Sequence, residues 1–250
     1  MRIYLFFISI LFTGYFYGQE PTSISTDSIP VVPNEKEQRE NPLDTLPPGE
    51  KYGLRIGADI SKLIRTYTDD NYEGIEIVGD YRISQKFYIA AEMGNESLIR
   101  DEENINVRSM GNYARVGIDY NLYDNWYGMQ NMIVVGLRYG FSIFDQTLND
   151  YTIYSTSNYF DTNQITEASR YEDLTASWIG LVIGLKAEIL HNVYLSGNIS
   201  LRSLVSEDTP GNFENLHIPG FGRTNDYSSI GVGYGYSINY FFPLYKKKKQ

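Results

Sequence analysis

The sequence predicts an all-β fold, an eight-stranded antiparallel up-and-down transmembrane β-barrel. Three observations predict it. Side chains alternate with a period of two over eight segments between Lys51 and Leu244. One parity is apolar and aromatic without charge, and the other gathers glycines and charged residues. Tyr is abundant, with 23 Tyr beside 12 Phe and 2 Trp, an excess that aromatic belts at membrane interfaces would use. The mean hydropathy of −0.34 excludes a helical membrane protein but permits a barrel, in which only every second strand residue must be apolar.

The clearest strand is Tyr227–Phe241. Ser228, Ile230, Val232, Tyr234, Tyr236, Ile238 and Tyr240 fall on one face, with Ser229, Gly231, Gly233, Gly235, Ser237 and Asn239 on the other. A narrow barrel needs such a small inward face, because its interior has room only for side chains. Before it, the apolar parity runs through Tyr52, Leu54, Ile56, Ala58 and Ile60, then Ile75, Ile77, Gly79, Tyr81 and Ile83, then Phe87, Ile89, Ala91 and Met93. It continues through Ala114, Val116, Ile118, Tyr120 and Leu122, and through Ile133, Val135, Leu137, Tyr139, Phe141 and Ile143. Ile179, Leu181, Ile183, Leu185, Ala187 and Ile189 form the sixth segment, and Val193, Leu195, Gly197, Ile199, Leu201 and Val205 the seventh. A charge on the lipid face costs roughly 2–4 kcal/mol at mid-membrane, which accounts for its absence there.

The connections alternate in length. Ser84–Lys86 and Leu190–Asn192 are short and Tyr123–Gln130 is modest, whereas Leu63–Asn71, Asn95–Ser109, Asp145–Leu174 and Ser206–Asp226 are long. Both termini and the short turns therefore belong on the periplasmic side and the long loops outside. Arg100 and the acidic run Asp101, Glu102 and Glu103 fall in the second long loop.

Four parts follow. Residues 1–18 read as a signal peptide, with Arg2 ahead of an apolar core, Tyr4–Phe12, too short to span a bilayer. Residues 19–50 hold six of the nine prolines among Ser, Thr and charged residues and read as a disordered periplasmic linker. Residues 51–244 form the barrel, and 245–250 a basic tail.

The inward parity supplies the candidate site. Arg55, Arg82, Arg115, Arg138, Lys186 and Arg202 face Asp59, Glu76, Asp80, Glu92, Asp119 and Glu188 across a confined interior, where balanced charges pair and fill the space. Arg138 has Gly136 and Gly140 beside it and so has room to reach Asp119 on the preceding strand.

The chain excludes several chemistries. Its net charge of −10 argues against a nucleic-acid partner, and without cysteine neither disulfides nor thiolate metal sites can form. The calcium-like run Asp69, Asn71, Glu73 and Gly74 is needed partly as strand, and the repeated glycines of the last strand precede no helix, so neither marks a metal or nucleotide site. No cofactor, metal or catalytic residue is assigned. Only two histidines exist: His191 in a short turn, and His217 in the last long loop near Ser206, Asp208 and Glu214.

The signal, the Pro-rich lead and the eight alternating segments resemble small outer-membrane β-barrels of Gram-negative bacteria, in particular a Bacteroidetes-type family of unknown function. The resemblance covers about Lys51–Leu244. Its most specific part is the last strand, where Gly235, Ile238 and Tyr240 are similar to the signal read by the barrel-assembly machinery. Gly233 departs from that signal, which prefers a polar residue there, and Phe242–Gln250 extend beyond it. The resemblance implies the bacterial outer membrane as location, with outer-membrane lipid and the assembly machinery as partners. It implies no activity. The expected role is structural or surface-interacting, through outer loops whose partner the sequence does not name, around a side-chain-filled lumen. A narrow channel and, further off, a lipid-modifying enzyme are the alternatives. The alternative fold is a soluble barrel with the apolar parity lining a cavity and the charged parity in water.

Overall fold

The computed structural model describes residues 50–102, 104–123, 131–152, 164–165, 168–211, 213–224 and 227–247. The expected signal peptide and all but the last residue of the expected linker lie outside them. Eight long strands form one antiparallel sheet: β1 (Glu50–Asp59), β2 (Tyr72–Arg82), β3 (Phe87–Glu102), β4 (Ile105–Asn121), β5 (Met132–Thr152), β7 (Ser169–Leu190), β8 (Val193–Glu207) and β11 (Ile230–Lys247). Each pairs with its neighbour in sequence, and β1 pairs with β11, so the sheet closes into a ring. Closure gives the strand edges backbone partners, which an open sheet would leave bare. The two-residue β6 (Gln164–Ile165) extends the pairing of β5, while β9 (His217–Ile218) and β10 (Gly222–Arg223) form a separate small hairpin. One helix, α1 (Ile60–Thr68), follows β1.

Parity decides the faces. Leu137, Ile183, Ile199 and Val232 stand on the outside of the ring, while Arg55, Asp80, Asp119 and Arg138 are buried within it. The apolar parity is therefore outward, the reverse of a soluble ring that lines its cavity with apolar side chains. Tyr52 is an exception to the sequence reading. A register shift between Tyr52 and Gly53 breaks the alternation, and Tyr52 is buried beneath the Arg82 guanidinium, 4.7 Å from its ring centre.

The ring has two unlike ends. At one, the connections are tight: Ile83 donates its backbone N–H to Phe87 at 3.0 Å, and His191–Asn192 joins β7 to β8 with Asn192 in the left-handed region at φ 63°. We call this the turn end. At the far end the strands outrun the sequence expectation. The segment read as a loop at Asn95–Ser109 is mostly strand, with β3 running to Glu102 and β4 starting at Ile105. Arg100 and Asp101 are thus strand residues. Likewise β5 continues to Thr152 and β7 begins at Ser169. The expected loop at Leu63–Asn71 begins inside α1, which runs on to Thr68, and β11 carries on through Lys247, so Tyr245–Lys247 belong to the ring wall. Of the modest Tyr123–Gln130 turn, residues 124–130 lie outside the described ones.

α1 forms because Asp59 ends β1 by capping it. The Asp59 carboxylate accepts the backbone N–H of Ser61 at 2.7 Å and of Lys62 at 3.4 Å. Ile60, Leu63, Ile64 and Tyr67 recur at helical spacing on one side, and Lys62 and Arg65 lie on the other.

Candidate functional site

The interior of the ring is stacked in three layers. At the turn end, Tyr88, Met132 and Val134 pack together, and the Tyr194 and Phe241 rings meet edge to face at 6.3 Å. The Arg55 guanidinium lies over both Tyr88 and Tyr194, 5.1 Å from each ring centre.

Above this layer runs a continuous chain of ion pairs. Arg55 Nη2 is 2.7 Å from Asp80 Oδ1, and Lys186 Nζ joins Asp80 at 2.7 Å to Asp119 at 3.4 Å. Arg138 bridges Asp119 at 2.7 Å and Glu92 at 3.1 Å. Arg115 then bridges Glu92 at 2.9 Å and Glu76 at 2.6 Å, and Lys62 bridges Glu76 at 3.6 Å and Glu96 at 3.1 Å. Asp80, Asp119, Glu92 and Glu76 thus have two cationic neighbours each, and Glu96 has Lys62 and the Gly220 N–H, which is what a dry interior requires, because a lone buried charge costs several kcal/mol. The Tyr113 hydroxyl donates to Glu76, and that of Tyr72 to Glu96 at 2.7 Å.

Eight of the twelve charged residues read from the sequence are in this chain. The other four serve differently. Asp59 caps α1, and Glu188 accepts the backbone N–H of Asn192 at 2.9 Å and the Tyr194 hydroxyl at 3.3 Å. Arg82 donates to the carbonyls of Ser84 at 3.0 Å, Gln85 at 2.8 Å and Lys51 at 3.2 Å. Arg202 donates to the carbonyls of Gly220 and Phe221, both at 2.8 Å. Of the last-strand residues singled out, Gly235 faces inward against Asp59 and Asn198, while Ile238 and Tyr240 are exposed outside.

The third layer is the β9–β10 hairpin, folded into the far end. Ile218-Pro219-Gly220-Phe221 makes its turn, with Phe221 N–H donating to the Ile218 carbonyl at 3.1 Å and Gly220 at φ 78°, the geometry a Pro-Gly type II turn favours. A Cβ at Gly220 would collide with the Tyr113 ring, so the turn admits no side chain there. Ile218 and Phe221 pack with Tyr113, Phe144, Ala176 and Trp178. Trp178 in turn occupies the space that Gly140 leaves open.

Sequence reasoning left His217 in an outer loop; the hairpin carries it inside. Its imidazole is buried, 3.9 Å from Glu96 Oε2, and neither ring nitrogen has a hydrogen-bond partner among the described residues. Burial pushes its pKa down to about 4, against the upward pull of Glu96. Asp208, in contrast, is exposed and accepts from the Thr175 hydroxyl at 2.6 Å. Lys62, Tyr72, Glu96 and Tyr113 were also missed. The apolar repeat Ile60, Leu63, Ile64, Tyr67 after Asp59 is a helix signal that would have placed Lys62. Continuing the inward parity from Glu92 by four residues would have placed Glu96.

The fold and its interior define an all-β protein in which an eight-stranded antiparallel ring encloses a ladder of ion pairs. Residues 3–247 match the family model described as Domain of unknown function (DUF6048), and the chain belongs to that family. No curated protein matches it.

Proposed function

We propose that this chain is a transmembrane β-barrel of the bacterial outer membrane, with its interior filled by its own side chains and its role exercised at the far end, where it meets surface lipid or a partner. The observation that carries this reading is the outer face of the ring. Leu137, Leu185, Ile199 and Val232 are 61%, 60%, 65% and 71% exposed, and they belong to a band of outward Ile, Leu, Val, Phe and Tyr that runs around the strands. In water such a band would be an aggregation surface far beyond the few hundred Å² that soluble monomers expose. In a bilayer it is the solvated face, and the charges belong inside. The short-turn end would then face the periplasm, with α1, β9 and β10 outside.

The structural or surface-interaction reading is preferred to a channel because the ion-pair ladder spans the interior from Arg55 to Glu96 between two aromatic layers. Membrane fractionation tests the proposal. The mature chain should pellet with outer membranes, resist alkaline carbonate and come free only in detergent. Recovery in the soluble fraction would overturn it.

A further inference from the structure

The wall of the ring is incomplete at the far end. β1 stops at Asp59, where its last partner on β11 is Ser237 and its last on β2 is Ile77. Beyond that point β11 continues over Ile230–Tyr236 and β2 over Tyr72–Glu76, each paired on one side only. α1 stands in the gap. It is fastened to β2, since the Thr66 hydroxyl accepts the Gly74 N–H at 2.9 Å, but no side-chain hydrogen bond joins it to β11 among the described residues.

Behind the gap is a cavity of about 230 Å³, well above the roughly 10–15 Å³ that one water needs. Both faces of β11 line it: inward Gly233 and Gly235, and outward Val232 and Tyr234. Lining by both faces sets the cavity against the unpaired edge of β11, beside α1. Its charge is unbalanced. Lys62, Arg65, Arg100, Arg115, Arg202 and Arg223 line it against three carboxylates, with Arg65 paired to Asp69 and Arg223 to Glu102 beyond the lining. Asp59 is spent on the helix cap, Glu76 on Arg115, and Glu96 on Lys62, Tyr72 and the Gly220 N–H. Arg100 and Arg202 meet no carboxylate at ion-pair distance among the described residues, and Arg100 Nε is buried without a hydrogen-bond partner. His217, buried with both nitrogens unpartnered, lines the same cavity. Outside the gap, the apolar stripe of α1 is bare, with Leu63, Ile64 and Tyr67 at 44%, 59% and 91% exposure, and Val232 and Tyr234 of β11 are exposed too.

We infer that this cavity binds the phosphate-bearing headgroup of an anionic lipid, which enters sideways between β11 and α1 and leaves its acyl chains along the apolar stripe of the helix. A cationic pocket with unspent donors, opening beside an apolar cleft, matches an amphiphile with a charged head and not a small apolar ligand. The inference rests on the membrane reading for its lipid source.

The test uses the full mature chain folded in maltoside micelles, with phosphatidylglycerol, phosphatidylcholine and inorganic phosphate as probes and native mass spectrometry as readout. One phosphatidylglycerol should be retained over phosphatidylcholine. Arg100→Gln, which breaks no hydrogen bond found in the structure, should weaken that retention about tenfold, the order of one lost charge-assisted contact. Ile64→Asp, at the outer lip, should weaken lipid retention while leaving inorganic phosphate unaffected. Equal retention of the two lipids, or no effect of Arg100→Gln, overturns the site. Displacement of the lipid by millimolar inorganic phosphate, with Ile64→Asp silent, overturns the lipid assignment in favour of a free anion. If fractionation finds the wild-type chain soluble, the membrane reading fails by itself, and the site is then judged by inorganic phosphate binding and its loss in Arg100→Gln.

Discussion

Removing Arg138 should unfold the interior more than removing any surface arginine. Arg138 is 5% exposed and holds two carboxylates, Asp119 at 2.7 Å and Glu92 at 3.1 Å. Breaking a buried pair by deleting one partner costs about 3–5 kcal/mol, because the other charge is left uncompensated. Here neither carboxylate is left alone. Asp119 keeps Lys186 at 3.4 Å, and Glu92 keeps Arg115 at 2.9 Å. The loss for Arg138→Ala therefore belongs at the low end, about 3 kcal/mol, which in urea is a midpoint shift of roughly 1–3 M. Arg170 is the control. It makes a bridge of the same length, 2.7 Å to Asp145, but its side chain is 56% exposed, so Arg170→Ala should leave the midpoint where it was. Arg100 is unsuited to that role, since it lies in β3 and lines the far-end cavity. The assay is reversible urea unfolding in lipid vesicles, followed by tryptophan fluorescence. Adding Asp119→Ala to Arg138→Ala should cost less than the sum of the two, with a coupling of about 0.5–3 kcal/mol. Equal shifts for Arg138→Ala and Arg170→Ala would refute the packed ionic interior and with it the assignment of inside and outside.

Four further outcomes can be checked. Ile199→Arg places a charge on the outward band and should cost about 2–4 kcal/mol in vesicles, whereas an unchanged midpoint would place that face in water. Gly140→Val drives a side chain into the Trp178 ring and should lower the thermal midpoint, overpacking being worth about 1–3 kcal/mol. For His217, the folded pKa near 4 lies below the ordinary 6.5, so its neutral, buried form favours folding fully above pH 6.5, and that advantage is lost as pH falls toward 4. The loss is about 3 kcal/mol, and His217→Gln should flatten this part of the stability profile relative to wild type. Planar bilayers loaded with purified protein should stay electrically quiet, and steady discrete openings would overturn the filled interior.

The sequence by itself determined which side chains look inward. Strand parity is local, because each residue's neighbours in the chain fix its face, and Arg55, Glu76, Asp80, Glu92, Arg115, Asp119, Arg138 and Lys186 were legible as interior residues on that ground alone. Strand ends at the far end were not legible. There the outward parity turns polar, at Asn95, Arg108 and Asn112, so hydrophobic alternation fades while backbone pairing between β3 and β4 continues. Only the tertiary structure decided who pairs with whom. Lys186 reaches Asp80, 106 residues away in the chain, because ring closure sets them across one interior, a distance no sequence spacing encodes. It also brought inside His217, from a segment read as an outer loop, and Lys62, which the sequence reading places in neither strand nor loop. The helix cap at Asp59 ends β1 early, and the Pro219-Gly220 turn folds a hairpin into the space that opens. Parity is a property of one strand, whereas a partner, a gap in a wall and a folded-in loop are properties of the closed ring.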